Sequence, residues 1–140
     1  MDHRARLALT LVRVVTALLL VVHGVARVRL GIVDDFGRFL AGAGFPYGET
    51  IAWAITLMEI AGGFILAAGY IVRPLAAWFV VQLLAGIYLV HGREGWFVVG
   101  AGRNGVEFSV LLIACLVASA LSPPTARALS RGRVRGFPWT

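Results

Sequence analysis

The sequence predicts an all-α fold: a polytopic membrane protein of four transmembrane helices in an up-down bundle, with a short interfacial helix in the first loop. Three observations predict it. Hydrophobic residues make up 59 % of 140 positions and charged residues only 14 %, well below the quarter or so found in soluble domains. Mean hydropathy is +0.85. Four apolar stretches, residues 7–26, 51–72, 75–90 and 106–121, are separated by segments that carry the glycines, prolines and most of the charges.

The first two stretches reach the ~20 residues needed to cross a hydrocarbon core about 30 Å thick, whereas the last two need help from their flanks or local thinning. Arg4 and Arg6 precede the first stretch in the order of a secretory signal. That stretch is too long for a signal core and no small-x-small cleavage site follows, so it is read as a retained span. In the first loop Asp34, Asp35, Phe36, Arg38, Phe39 and Leu40 alternate charge with apolar bulk at helical spacing, predicting a short helix in the interface that Gly42, Gly44 and Pro46 terminate. Residues 69–74 form a tight turn, where Pro74 suits the first turn of the next helix. The third connection, residues 91–105, is apolar from Gly95 to Gly100 and is expected to dip into the membrane mouth with Trp96 at the interface. Gly100, Gly102 and Gly105 lack the Lys-Ser/Thr ending of a phosphate loop and are read as a turn.

Residues 1–122 are expected to form one transmembrane domain, and residues 123–140 a disordered basic tail. Ser122, Pro123 and Pro124 stop the fourth helix, and Arg127, Arg131, Arg133 and Arg135 follow. The net charge of +6 reflects 13 arginines, no lysine and 7 acids. Such a tail is attracted to anionic headgroups by about 1 kcal/mol per residue, while no aromatic platform or folded module supports nucleic-acid binding. Seven arginines on the side of the termini against five in the other two loops place both ends in the cytoplasm of a bacterial or archaeal cell. Cys115 is the only cysteine, which excludes an internal disulfide and a CxxC pair and reads as apolar packing.

Glu59 lies near the centre of the second stretch. A carboxylate at that depth costs roughly 2.5–3.5 kcal/mol on insertion scales, so it needs a partner or a purpose. At 100° per residue Ala52, Thr56, Glu59, Gly63, Leu66 and Tyr70 share a stripe that should face the bundle. Arg13, Ala17, Leu20, Gly24 and Arg27 make a comparable stripe on the first span, with His23 at its margin. A rise of ~1.5 Å per residue puts Arg13 and Glu59 within about 7 Å in height, so a buried Arg13–Glu59 ion pair is feasible, serving either the site or helix register alone. His23, His91 and Glu107 fall together at the outer ends of three helices. They suit hydrogen bonding to a quinone's carbonyls and proton relay, an open two-His, one-carboxylate metal set, or a haem between His23 and His91. Gln82 and His91 are nine positions apart and take opposite faces of a straight helix, so either Gln82 meets a neighbour in an oligomer or the third helix ends before His91.

These residues together resemble the DoxX family of small four-helix membrane proteins. The resemblance rests on Arg13, His23-Gly24 and Arg27, on Phe39-Leu40 through Gly44-Phe45-Pro46, and on Glu59-Ile60-Ala61-Gly62-Gly63 with Gly69. It continues through Arg73-Pro74-Leu75-Ala76, His91, Gly95-Trp96-Phe97 and Gly105-Val106-Glu107, covering roughly residues 7–121. It implies a bundle linked to quinone-coupled sulfur oxidation or to oxidative-stress complexes. The Gly-x-Gly and acidic end usual in the family are replaced by Ser122-Pro123-Pro124-Thr125.

The expectation is a redox-linked membrane subunit, possessing or serving an oxidoreductase activity, that binds a quinone or similar lipophilic carrier beside Arg13, His23, Glu59, His91 and Glu107. Glu59, His23, His91 and Glu107 are the candidate proton-handling residues. Two other readings stay open: a non-catalytic scaffold that recruits a soluble oxidoreductase or sulfurtransferase, and a small solute or ion carrier. Assembly into a homo-oligomer fits any of them.

Overall fold

A computed structural model describes residues 2–100 and 102–122, and the expected basic tail lies outside these residues. The described residues are all-helical. Helix α1 (His3–Arg29) starts on Asp2, whose side chain accepts from the Ala5 N–H at 2.9 Å, satisfying one of the orphan donors of the first turn. Arg27 and Arg29 lie in its last turn, where cations complement the helix dipole. Gly31, at φ +67°, turns the chain into α2 (Val33–Gly42), the short helix expected in the first loop.

The second span runs as one rod over Gly48–Ala67. It comprises α3 (Gly48–Leu57), a π-helical turn Met58–Gly62, and α4 (Gly63–Ala67). Helix α5 (Val72–Leu89) follows, with Pro74 in its first turn, where a missing N–H costs no helical bond. It ends at Leu89, and His91–Arg93 forms a separate 3-10 turn. Helix α6 (Glu107–Leu121) completes the fold. Three helices, His3–Arg29, Gly48–Ala67 and Val72–Leu89, are long and apolar enough to cross a membrane, and Glu107–Leu121 is a shorter apolar helix.

Ala17, Leu20, Leu66, Leu75, Ala76, Phe79 and Leu116 close a common core among α1, α4, α5 and α6. Outward-facing Leu11, Val15, Val22, Phe64, Val81 and Leu111 are all exposed on the protein itself, as expected of helices whose solvent is lipid. Antiparallel register is set by glycines. A Cβ on Gly63 would meet Val21 Cγ2 at 2.6 Å, and one on Gly24 would lie 3.0 Å from Thr56 O, so α1 runs against the second span at backbone distance. Gly48 likewise seats against the Gly37 carbonyl, clamping α2 onto α3 above Val33, Leu40 and Ala52.

Two ends of the bundle follow from this order. The proximal end holds the start of α1, the α4–α5 turn and the finish of α6, tied where Arg73 Nε donates to Ala120 O at 3.3 Å. The distal end holds α2 and the 91–106 loop. That loop is bonded through its backbone, with Gly105 N donating to Phe97 O and Val106 N to Gly95 O, both at 3.1 Å, and Glu107 N to Trp96 O at 3.0 Å.

Candidate functional site

Close approach at Gly24 places the last turns of α1 beside the π-helical turn of the second span. Arg27 Nη1 donates to Glu59 Oε2 at 2.9 Å and to Thr56 Oγ1 at 2.9 Å, and Nη2 reaches Glu59 Oε1 at 3.4 Å. The Thr56 hydroxyl in turn donates to Ala52 O at 2.7 Å. From α5, Gln82 Nε2 donates to Glu59 Oε1 at 2.5 Å. The outer face of the guanidinium is covered by the Phe36 ring, 4.8 Å from Cζ to centroid. Glu59 is 2 % exposed. Three elements thus meet at one carboxylate, and both of its oxygens are occupied by donors. Charge-assisted bonds of this kind are about twice as strong as neutral ones.

Beside this knot lies a cavity of about 800 Å³ between α1, α2 and α3 on one side and α5 and α6 on the other. Its wall is mainly apolar, with Phe36, Ile55, Trp78 and Leu112 among its members, and Arg27, Asp35, Glu59, Gln82, Asn104 and Ser109 interrupt it. His23 and His91 also line it. The His91 Nδ1 lies 2.7 Å from Asn104 O. A carbonyl only accepts, so Nδ1 carries the proton and Nε2 is left as the available nitrogen. Gln82 Oε1 is buried without a hydrogen-bond partner. Its amide is held in that sense because a paired carboxylate accepts only from Nε2.

The structure brings His23, Glu59 and His91 to one cavity and leaves two expected members out. Arg13 does not pair with Glu59 and is not on the cavity wall. It precedes Arg27 by fourteen positions, ~21 Å along the axis at 1.5 Å per residue, and the glycine contacts level Glu59 with the distal part of α1 instead. Glu107 is off the wall as well; its Oε1 accepts from the Val98 N–H at 2.7 Å and fastens the loop. Gln82 faces Glu59, and α5 stops before His91, so both residues reach the same cavity and no oligomeric neighbour is needed to meet Gln82. Among the described residues no group of three or more His, Cys, Asp or Glu side chains gathers as a metal site, so the two-His, one-carboxylate set is not assembled there.

Arg27, Thr56 and Gln82 are the functional candidates that sequence reasoning passed over. Arg27 and Thr56 lay on the two polar stripes, and that placement was the available signal. For Gln82 the signal was an amide inside an apolar stretch.

The sequence model of the DoxX family matches residues 8–92, from within α1 to within the His91 turn, and therefore holds Arg27, Glu59, Gln82 and both cavity histidines. The α6 side of the cavity lies beyond the matched stretch. No curated protein and no solved structure matches the chain. With apolar helices of membrane-crossing length and a family match over more than half its length, the chain belongs to the DoxX family of multi-pass membrane proteins.

Proposed function

We propose that this protein is a redox-linked membrane subunit that holds a quinone, or a carrier of similar build, in the distal cavity, its four apolar helices crossing a bacterial or archaeal cytoplasmic membrane with both termini on the cytoplasmic side. The observation that carries the reading is a mainly apolar cavity of about 800 Å³ whose polar lining includes the Arg27–Glu59–Gln82 knot and two histidines, together with Asp35, Asn104 and Ser109. A lipophilic ring with oxygens at its edge needs that combination: apolar walls for the ring and a few placed polar groups for orientation.

A quinone supplies two-electron, two-proton chemistry when bound. The chain's residues have distinct parts in it. Arg27 and Gln82, held on Glu59, fix the polarity of one wall in a dry setting where hydrogen bonds are strong. His91, kept as the Nδ1–H form by Asn104 O, offers Nε2 as a proton acceptor, and His23 of α1 offers a second imidazole. The electron donor is a soluble redox or sulfur-transfer partner in this reading.

Extraction of quinone from protein purified in mild detergent tests the proposal. Wild type should carry quinone in near-stoichiometric amount, and Glu59→Gln and Gln82→Leu should carry several-fold less. Equal quinone content in all three would remove the reading.

A further inference from the structure

Arg13 is a buried cation that the cavity does not use. The residue is 6 % exposed, its Nε is sealed without a hydrogen-bond partner, and neither ion pair among the described residues includes it. A guanidinium cannot shed its proton under physiological conditions. A buried charge without a partner is costly, so Arg13 calls for an anion.

The described chain has none to offer at that level. Asp34, Asp35, Glu49, Glu94 and Glu107 belong to the distal end, and Glu59 is taken by Arg27 and Gln82. Asp2 accepts from Ala5 N as the cap of α1. The proximal end carries cations instead, with Arg73 bound to the last turn of α6. Of the guanidinium nitrogens only Nε is both sealed and unpartnered, which leaves the Nη edge as the one that can meet a ligand. That edge is the fork that grips a phosphate with two parallel hydrogen bonds.

We infer that Arg13 is the binding group for a phosphate at the proximal end, supplied by the headgroup of an anionic lipid. The depth agrees. Arg13 lies about 9 Å past Leu7, where the apolar run begins, at ~1.5 Å per residue, and an arginine side chain extends toward the interface from such a position. This site is separate from the quinone cavity and stands or falls without it.

The test uses the full-length protein, stripped of lipid in an uncharged detergent and followed by native mass spectrometry. The probes are phosphatidylglycerol, a diacylglycerol of the same chains, and inorganic phosphate. Wild type should retain one phosphatidylglycerol, Arg13→Gln should bind it at least tenfold more weakly, and Arg38→Gln at the distal end should match wild type. Diacylglycerol should show no dependence on Arg13. Displacement of phosphatidylglycerol by millimolar inorganic phosphate would keep the phosphate site and overturn its lipid source; no displacement supports the lipid. Equal phosphatidylglycerol retention by wild type and Arg13→Gln overturns the site altogether. Arg13→Met guards against a folding defect: phosphatidylglycerol should raise the melting temperature of wild type and not of this variant, and an equal rise in both would also overturn the inference.

Discussion

The Arg27 guanidinium and the Glu59 carboxylate meet at 2.9 Å with side-chain exposures of 11 % and 3 %. The two residues come from α1 and from the π-helical turn of the second span, and Gln82 of α5 closes on the same carboxylate. Because α2 adds the Phe36 ring over the guanidinium, one polar contact links the interfacial-type helix to three long ones. Its energetic meaning is asymmetric: a buried pair of this sort contributes little relative to a well-packed apolar pair, yet losing one partner leaves a stranded charge.

Glu59→Gln should therefore destabilise the protein by about 3 kcal/mol, since Arg27 would keep its charge and lose its counter-ion. The double change Arg27→Met with Glu59→Leu should recover most of that loss. Thermal unfolding in detergent measures both, and a double variant no more stable than the single would show that packing and not charge governs the position.

Gly24→Ala should cost about 1–3 kcal/mol, in the range of overpacked cores. The new Cβ would lie 2.9 Å from Ile60 Cγ1 and 3.0 Å from the Thr56 carbonyl oxygen, and a backbone oxygen cannot step aside as a flexible side chain does. Gly42→Ala is the control, because nothing lies within 4 Å of its Cβ position. It should be neutral or slightly stabilising. Melting temperatures of the pair decide whether the α1 approach is as tight as these contacts state.

Much of this arrangement was readable from residue spacing. The 100° stripe on the second span correctly turned Ala52, Thr56, Glu59, Gly63 and Leu66 inward, since helical periodicity follows from backbone geometry alone. Tyr70 broke the pattern because the helix ends at Ala67, before it. The partner of Glu59 was not readable, because it depends on how far α1 slides along the second span. That register is set by Gly24 and Gly63 touching backbone across the interface, and estimates of depth from where apolar runs begin carry no such information. The π-helical turn adds a further offset that no residue type announces. Glu107 looked like a site member for a similar reason: its position at a helix start was visible, but the Val98 N–H it serves belongs to an irregular loop.

Glu107→Ala should speed hydrogen exchange at the Val98 amide by about tenfold, as expected from losing roughly 1.5 kcal/mol of charge-assisted bonding. Glu107→Gln should change it much less, because an amide oxygen still accepts there. Site-resolved exchange mass spectrometry separates the two. Equal acceleration in both variants would mean that the charge itself, and not the acceptor, holds the loop.

Ile71→Gly should stabilise the protein by up to about 1 kcal/mol. Ile71 sits at φ 41° and ψ 42°, a left-handed conformation that costs a β-branched residue roughly 1–2 kcal/mol. At 62 % exposure it gives up little packing when removed. A rise in melting temperature is expected, and a fall would show that Ile71 anchors the α4–α5 turn to its surroundings more strongly than the strain opposes it.

His91 separates structure from chemistry in a single position. Its Nδ1–H holds Asn104 O at 2.7 Å, while its other nitrogen serves no bond among the described residues. In His91→Asn the side-chain amide N–H stands near the Nδ1 position and can keep the loop bonded, but nothing replaces Nε2 as an acceptor on the cavity wall. Its stability should thus stay within about 0.5 kcal/mol of wild type, the usual range for a change that strands no buried group, while retained quinone falls several-fold. His91→Ala should lose both. If His91→Asn kept its full quinone content, the imidazole would be a loop fastener only, and His23 would remain as the histidine able to meet a carrier in the cavity.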